Sequence, residues 1–194
     1  MDHLYHVYNG KPSSSNIEAM KKKIVIILII FVVGFASFLV TKIVLKNNQN
    51  SLIALQKQNL PDFAFYNQDL QVFSSGQLKP QVSVCIFYYN AECEHCQYEA
   101  AQISKNIDAF KNTQVIMIST NLPGETAVFQ GKYNLKNTGF LWLYDKDYAF
   151  YKWFGQSIAP SVYIYNEDHK LVKEYRGEIK IEAVLKHLNH GEKG

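Results

Sequence analysis

The hydrophobic pattern divides the chain into one long apolar run near the N-terminus and a series of short elements after it. Residues 24–41 are eighteen residues without a charge, and after Lys42 three more apolar residues follow. At 1.5 Å per residue, a helix over residues 24–45 is about 33 Å long, enough to cross a bilayer core of about 30 Å. The pattern therefore predicts a single transmembrane helix over residues 24–45, with the Lys42 side chain reaching towards the interface.

After the apolar run, strand-like and helix-like segments alternate along the chain. Their apolar residues predict a hairpin over 61–73, strands over 82–89, 115–119, 140–144, 161–165 and 171–175, and helices over 97–111, 125–133, 148–154 and 181–190. This alternation indicates an α/β domain with a parallel or mixed sheet covered by helices on both faces. We therefore predict a disordered tail over residues 1–23, the membrane helix over 24–45, a linker rich in Asn, Gln and Lys over 46–59, and a globular domain over 60–194.

Charge is distributed unevenly along the 194 residues. Residues 1–50 carry six lysines against two acids, whereas residues 51–194 carry thirteen lysines and Arg176 against fifteen acids. The globular domain therefore lacks the basic surface typical of nucleic-acid-binding proteins, and we expect no nucleic-acid partner.

The lysines before the apolar run indicate its orientation. Lys21, Lys22 and Lys23 favour a cytoplasmic N-terminus, which puts the globular domain outside the cytoplasm, in the periplasm. A cleaved signal peptide is the alternative, but a cleavage site of small residues is poorly matched near residues 34–36. Translation starts either at Met1 or at Met20, and the mass of the intact N-terminus distinguishes the two.

The candidate chemistry lies in Cys93-Glu94-His95-Cys96, between a predicted buried strand and a predicted helix. Two thiols at positions i and i+3 on the first turn of a helix can close a small disulfide ring, and the free N–H groups of that turn favour a thiolate. A structural zinc site needs four ligands, and the chain has no second cysteine pair and no paired-histidine spacing. We therefore predict a redox-active dithiol and no metal, with the third cysteine, Cys85, as a small buried residue of its strand.

These cysteines belong to a wider set of residues that resembles a known family. The set comprises Pro61-Asp62-Phe63, the run Tyr88–Cys93, Glu99 in the following helix, and Gly155 followed by Ala159-Pro160-Ser161. With this set, residues 60–190 resemble the thioredoxin-fold, membrane-tethered thiol–disulfide oxidoreductases of the TlpA/ResA type, which are related to the AhpC/TSA redoxins.

The resemblance implies a thioredoxin-like fold and a protein-disulfide reductase. Cys93 would attack the substrate disulfide and Cys96 would resolve the mixed disulfide, with no cofactor beyond the redox-active Cys93–Cys96 disulfide. Pro160 would be cis and face the cysteines, leaving the Ala159 backbone to bind substrate. Glu99 would lie beneath the site as a proton acceptor, although a solvated position on the helix face is the alternative. The implied partners are protein dithiols or disulfides and an unidentified membrane or periplasmic electron donor.

The residues beside the cysteines depart from the family and predict the direction of the reaction. The family commonly has Trp where this chain has Glu92, and often Pro where it has His95. Glu92 and Glu94 oppose a thiolate at Cys93, while His95 either favours it or merely fills an exposed loop position. Two acids against one partly charged histidine predict a reductant.

Three other functions remain open at this stage. A disulfide oxidase or isomerase would use the same site in the other direction. A peroxiredoxin would need Pro and Thr or Ser before the cysteine, where this chain has Ile86 and Asn90. A Sco-type copper chaperone would need CxxxC and a distant histidine, for which His169 and His187 are the candidates.

Overall fold

The computed structural model describes residues 14–155 and 158–188, and the chain divides into two units, Met1–Gln49 and Asn50–Gly194. In its described part the first unit is helical throughout. This helix, α1, runs from Ser14 to Gln56, so that its last residues belong to the second unit.

By length and composition, α1 is able to cross a membrane. Its segment Met20–Gln56 contains a stretch with a mean hydropathy of 3.1, no part of which is buried. Among the described residues it is the one helix with these properties. The sequence-predicted membrane helix over residues 24–45 lies within it.

The structure differs from the predicted tail and linker. Of the tail predicted over residues 1–23, residues 1–13 lie outside the described residues, and the rest is helical from Ser14. The linker predicted over 46–59 is helical as far as Gln56. Residues 35–60 contain neither glycine nor proline, and a helix already nucleated by the apolar run is extended at little cost through such a segment. The polar composition of residues 46–56 is therefore not enough to end the helix.

The end of the predicted linker also packs onto the second unit. The buried Lys57 ammonium is 2.6 Å from the Glu174 carboxylate, and the Tyr165 hydroxyl donates to the Lys57 carbonyl at 3.2 Å. The Leu171 N–H donates to the Gln58 carbonyl at 2.9 Å. The folded domain therefore begins about ten residues earlier than predicted, near Asn50.

The second unit is built on a mixed seven-stranded sheet. Its strands are β1 (Ala64–Tyr66), β2 (Val72–Ser74), β3 (Ser83–Tyr88), β4 (Thr113–Ser119), β5 (Leu141–Tyr144), β6 (Ser161–Tyr165) and β7 (Leu171–Arg176). The order across the sheet is β2-β1-β5-β4-β3-β6-β7, in which β3, β4 and β5 are parallel and the other neighbours antiparallel. The predicted hairpin and all five predicted strands are present.

Alternate residues of the central strands point to the two faces of the sheet and form two apolar cores. One face of β3 carries Cys85 and Phe87, which pack with Ile103 of the helix after β3 and with Val184 near the C-terminus. The other face carries Phe65, Tyr163 and Tyr165 of the strands, which cluster with Phe63 and with Phe150 and Phe154 of a short helix. Helices therefore cover the sheet as the alternating pattern predicted.

The helices of this unit are α2 (Glu94–Lys105), α3 (Pro123–Lys132), α4 (Phe150–Phe154) and α5 (Ile181–Leu188). The helix predicted over 97–111 thus starts three residues earlier and ends at Lys105, and a short 3-10 turn follows over Ile107–Phe110. The Asn106 side chain donates to the Gln102 carbonyl at 2.9 Å, a local bond of the kind that competes with helix continuation. The last two residues of the helix predicted over 181–190 lie outside the described residues.

Candidate active site

The two cysteines of the motif lie at the carboxyl end of the central parallel strands, where β3 passes into α2. Cys93 is the N-cap residue of α2, with φ −76° and ψ 121°, and its carbonyl accepts the Gln97 N–H at 3.0 Å. Because the first turn of a helix has free N–H groups, this position favours negative charge on the cysteine sulfur. The carboxyl edge of parallel strands is also where α/β proteins place their ligand sites.

The two thiols differ in their surroundings. Cys93 is partly exposed, whereas Cys96 is only 2% exposed and belongs to the apolar core beneath α2. Burial raises the pKa of the Cys96 thiol well above its usual range, and the nearby Cys93 and Glu99 raise it further. The Asn90 N–H, 3.4 Å from the Cys96 sulfur, partly offsets this rise. The accessible sulfur at the helix terminus is therefore Cys93, and the sheltered one is Cys96.

The loop before β6 lies directly opposite Cys93. Its Ala159–Pro160 peptide bond is cis, as the resemblance implied. The Cys93 sulfur is 3.8 Å from the Ala159 carbonyl oxygen. The carbonyl of buried Pro160 is occupied by the Gly177 N–H at 2.8 Å, which links this loop to the residues after β7.

Glu99 lies under the site and is not solvated. It is 3% exposed, and its Oε1 atom has no hydrogen-bond partner among the described residues. Burial raises the pKa of this carboxyl group to about 8, with a further contribution from the negative charge of Glu178. The alternative of a solvated helix-face glutamate is therefore wrong. At neutral pH the protonated form of the Glu99 carboxyl group therefore predominates.

His95, between the cysteines, forms an ion pair with Glu178 through its Nδ1 atom. Both side chains are partly exposed, at 66% for His95 and 43% for Glu178. Glu178 was not predicted from the sequence, because it lies 83 positions away and no local pattern connects it with the cysteines. Glu92 and Glu94, the predicted tuning acids, are both exposed next to Cys93.

A network of hydrogen bonds fixes the loop that precedes Cys93. The Asn121 side-chain oxygen accepts the Ala91 N–H at 2.9 Å and the Ser119 hydroxyl at 2.7 Å. The Asn121 amide also donates to Glu125, which caps α3 by accepting the Leu122 N–H at 3.0 Å. Asn121 was likewise missed, although Leu122-Pro123-Gly124-Glu125 has the residue types of a helix start.

A cleft of about 280 Å³ lies beside this loop. Its walls combine charged residues with exposed apolar ones, and they are Ala91, Glu92, Asn121, Glu125, Val128, Phe129 and Lys132. The lining includes Glu92, the residue before Cys93.

The candidate copper-binding histidines are not near the cysteines. Val84 at the start of β3 pairs with Tyr165 at the end of β6, so the β6–β7 turn with His169 lies at the opposite edge of the sheet from Cys93. His187 lines a cavity at that same far edge, together with Ser83. Within residues 14–155 and 158–188, no group of three or more His, Cys, Asp or Glu residues is arranged to hold a metal ion.

Comparison with solved structures supports the fold. A secreted Mycobacterium tuberculosis disulfide oxidoreductase homologous to E. coli DsbE is 18% identical, with a TM-score of 0.58 over 66% of this chain and 96% of that chain. The peroxidoxin BcpB from Mycobacterium tuberculosis is 17% identical, with a TM-score of 0.59 over 70% and 96%. StoA from Bacillus subtilis is 15% identical, with a TM-score of 0.51 over 64% and 93%. Identities this low show a shared fold alone, and the fold of the domain is thioredoxin-like.

The family follows from the sequence comparison. Residues 57–174 match the AhpC/TSA family, and the chain belongs to that family. A search of curated proteins gives no match. Together with the dithiol at the start of α2, this membership makes the protein a thiol-based redox enzyme similar to the TlpA/ResA-type redoxins.

Proposed function

We propose that this protein is a membrane-anchored thiol–disulfide oxidoreductase that reduces disulfides of proteins outside the cytoplasm. The observation that carries the proposal is the asymmetry of the two thiols. Cys93 is accessible at a helix N-terminus and faces the Ala159 carbonyl, while Cys96 is buried one turn further along α2.

The first step is an attack by Cys93 on the partner protein. Its thiolate forms a bond to one sulfur of the partner disulfide, and the other partner sulfur leaves as a thiolate and takes up a proton. This step needs only an exposed sulfur whose negative charge is stabilised, which the N-cap position of Cys93 supplies. The backbone of Ala159 lies beside the new bond and is placed to pair with an extended segment of the partner.

The second step releases the reduced partner. Cys96 loses its proton and its sulfur attacks Cys93, which forms the Cys93–Cys96 disulfide and expels the second partner thiol. Over both steps the partner gains two electrons and two protons, and the enzyme loses them. An external dithiol must return them, and we assign this role to a membrane or periplasmic dithiol donor.

Glu99 exchanges a proton with the Cys96 thiol. Its carboxyl group is buried next to Cys96, and a pKa of about 8 means that a minor fraction of Glu99 is the carboxylate at neutral pH. In the carboxylate form it accepts the Cys96 proton during resolution. In the protonated form it returns a proton when the disulfide is reduced again.

The membrane anchor and the reducing direction are further parts of the proposal. α1 is long and apolar enough to span the bilayer, and Lys21–Lys23 before it favour a cytoplasmic N-terminus. The acids Glu92, Glu94 and Glu178 near the cysteines all oppose a stable thiolate, which favours a reductant over an oxidase or isomerase.

Peroxidase activity is the second candidate, because a peroxidoxin shares the fold. The position where peroxiredoxins carry a Thr or Ser hydroxyl is Asn90, whose side-chain oxygen accepts the Glu92 N–H at 2.8 Å. Asn90 therefore offers no hydroxyl to a peroxide.

The test uses the full-length protein in detergent, with insulin as the disulfide substrate and dithiothreitol as the electron donor. We expect the parent to accelerate insulin reduction, Cys93→Ser and Cys96→Ser to lose the acceleration, and Cys85→Ala to keep it. Peroxide consumption in the same preparation should stay at the level of Cys93→Ser. Acceleration that survives in Cys93→Ser, or peroxide consumption that depends on Cys93, would contradict the proposed function.

A further inference from the structure

One ion pair links the cysteine motif to a distant part of the chain. His95, between the two cysteines, pairs with Glu178, which lies in the loop between β7 and α5. His95 is the one residue of the motif that can place a positive charge between the sulfurs. The electrostatic effect of this position on the Cys93 sulfur therefore depends on the residue that pairs with His95.

The backbone holds Glu178 in this place. The preceding residue, Gly177, has φ +85°, a conformation that glycine adopts without strain, and its N–H donates to the Pro160 carbonyl at 2.8 Å. The loop that carries Glu178 is thus fastened to the cis-proline loop, which itself faces Cys93. Glu178 belongs to the surroundings of the site even though its own side chain is partly exposed.

Along its own segment, the ionisable neighbours of His95 are Glu92, Cys93, Glu94, Cys96, Tyr98 and Glu99. From the opposing loop Glu178 pairs with it directly. Two positions either side of Glu178 lie the cations Lys180 and Arg176, of which Arg176 pairs with Glu174. The same Glu178 charge reaches Glu99 beneath the site and contributes to the raised pKa of that carboxyl group, after burial.

We propose that Glu178 is a positioning residue of the redox reaction, whose carboxylate pairs with His95, cancels the cation between the two cysteines and keeps the dithiol reducing. This inference rests on the proposed function and concerns the same site. A cation beside Cys93 stabilises the thiolate, and stabilising the reduced form is what makes a dithiol an oxidant. By neutralising that cation, Glu178 works in the opposite direction.

When His95 is protonated, it and the Glu178 carboxylate together have no net charge. In Glu178→Gln the protonated His95 has lost its counter-ion, so the surroundings of Cys93 become more positive. In His95→Gln they become negative, and in the double variant they are neutral again.

The experiment measures the equilibrium between the Cys93–Cys96 dithiol and glutathione, using full-length protein in detergent at pH 6 and low salt. In this exchange two glutathione thiols give up two electrons and two protons to reduce the protein disulfide. We expect Glu178→Gln to shift the equilibrium towards the protein dithiol by about threefold to fivefold, as for one charge at a partly exposed site. His95→Gln should shift it the other way, and Glu178→Gln/His95→Gln should return close to the parent.

Glu182→Gln is the matched control, because it removes the same charge from an exposed residue four positions further along. It should leave the equilibrium within about 1.5-fold of the parent, since solvent and salt screen distant exposed charges.

Two results would overturn the inference while leaving the proposed function intact. In the first, Glu178→Gln matches Glu182→Gln. In the second, the double variant matches either single variant instead of the parent. A parent protein that forms no Cys93–Cys96 disulfide with glutathione would instead overturn the proposed function itself.

Discussion

The Cys93 sulfur lies 3.8 Å from the carbonyl oxygen of Ala159, the residue that forms a cis peptide bond with Pro160. Sixty-six positions separate the two residues, and the antiparallel pairing of β3 with β6 brings them together. We propose that a substrate segment pairs with the Ala159 backbone, which would hold it next to the Cys93 sulfur.

The first prediction concerns which sulfur attacks. Cys96→Ser retains the exposed sulfur at the N-terminus of α2 but cannot resolve the mixed disulfide, so it should accumulate partner proteins joined to Cys93. These adducts should be recoverable from membranes after acid quenching and thiol blocking, and should disappear when a reductant is added.

Cys93→Ser and Cys85→Ala serve as controls for trapping. Cys93→Ser should trap nothing, because the remaining sulfur of the pair is buried, and Cys85→Ala should behave as the parent because Cys85 lies in the core. If Cys93→Ser traps partners as well as Cys96→Ser does, the assignment of roles is wrong.

The second prediction concerns the pH dependence of stability. The pKa of Glu99 is about 8 in the folded protein, above its ordinary value of 4.5. Between these pH values the folded state binds more protons than the unfolded state, so stability is fully present at low pH and falls as pH rises. Glu99→Gln removes this loss, which amounts to about 2–4 kcal/mol by pH 8 for a shift of this size.

The measurement is the unfolding temperature of the full-length protein and of Glu99→Gln in detergent, at pH 5 and at pH 8. Replacing the side chain also changes stability by an amount that is the same at both pH values. The comparison therefore uses the change in unfolding temperature between pH 5 and pH 8. The expected result is that Glu99→Gln gains stability relative to the parent on going from pH 5 to pH 8. Parallel pH profiles for the two proteins would show that Glu99 is an ordinary carboxylate.

The third prediction concerns the loop before Cys93. Asn121→Ala leaves the Ala91 N–H without its acceptor, which should cost about 1–2 kcal/mol of stability and loosen the loop that positions Cys93. We expect slower alkylation of Cys93 as well as a lower unfolding temperature.

Asn166→Ala is the control for this loop, because it removes a similar bond, to the Lys170 N–H at 2.8 Å, at the far edge of the sheet. It should lower stability by a comparable amount without changing the alkylation rate. An equal effect of both variants on the rate would mean that Asn121 acts only through stability.

The fourth prediction concerns orientation in the membrane. Because Lys21–Lys23 precede the apolar run, a reporter fused after Gly194 that is active only outside the cytoplasm should be active. Replacing these three lysines by glutamate should reduce this activity. An inactive fusion that is expressed and stable would indicate the reverse orientation.

The sequence was sufficient for the order of the elements and for the position of the cysteines. The apolar run of β3 and the helical spacing after it predicted a strand, the cysteine pair and a helix in that order, which the structure confirms. Such periodicity is local information. The end of α2 at Lys105 could not be predicted, because it depends on a bond from the Asn106 side chain to the Gln102 carbonyl that competes with the helix.

The surroundings of the site depend on long-range contacts and were predicted less completely. Glu178 reaches His95 from the loop after β7, and Asn121 reaches Ala91 from the loop after β4. Neither pair is near in sequence. The burial of Glu99 was also left open, since a glutamate one turn from Cys96 faces either the core or the solvent until the packing of the helices against the sheet is known.

The reduction potential of the Cys93–Cys96 pair tests the central claim most directly. Glu92 and Glu94 lie beside Cys93, and Glu178 offsets the charge of His95, so these acids oppose the stabilisation of the Cys93 thiolate by the helix N-terminus. Equilibration of the full-length protein with glutathione at pH 7 should give a potential nearer that of thioredoxin, about −270 mV, than that of the oxidant DsbA, about −120 mV. A value above about −180 mV, the potential of protein disulfide isomerase, would contradict the account of a reductant.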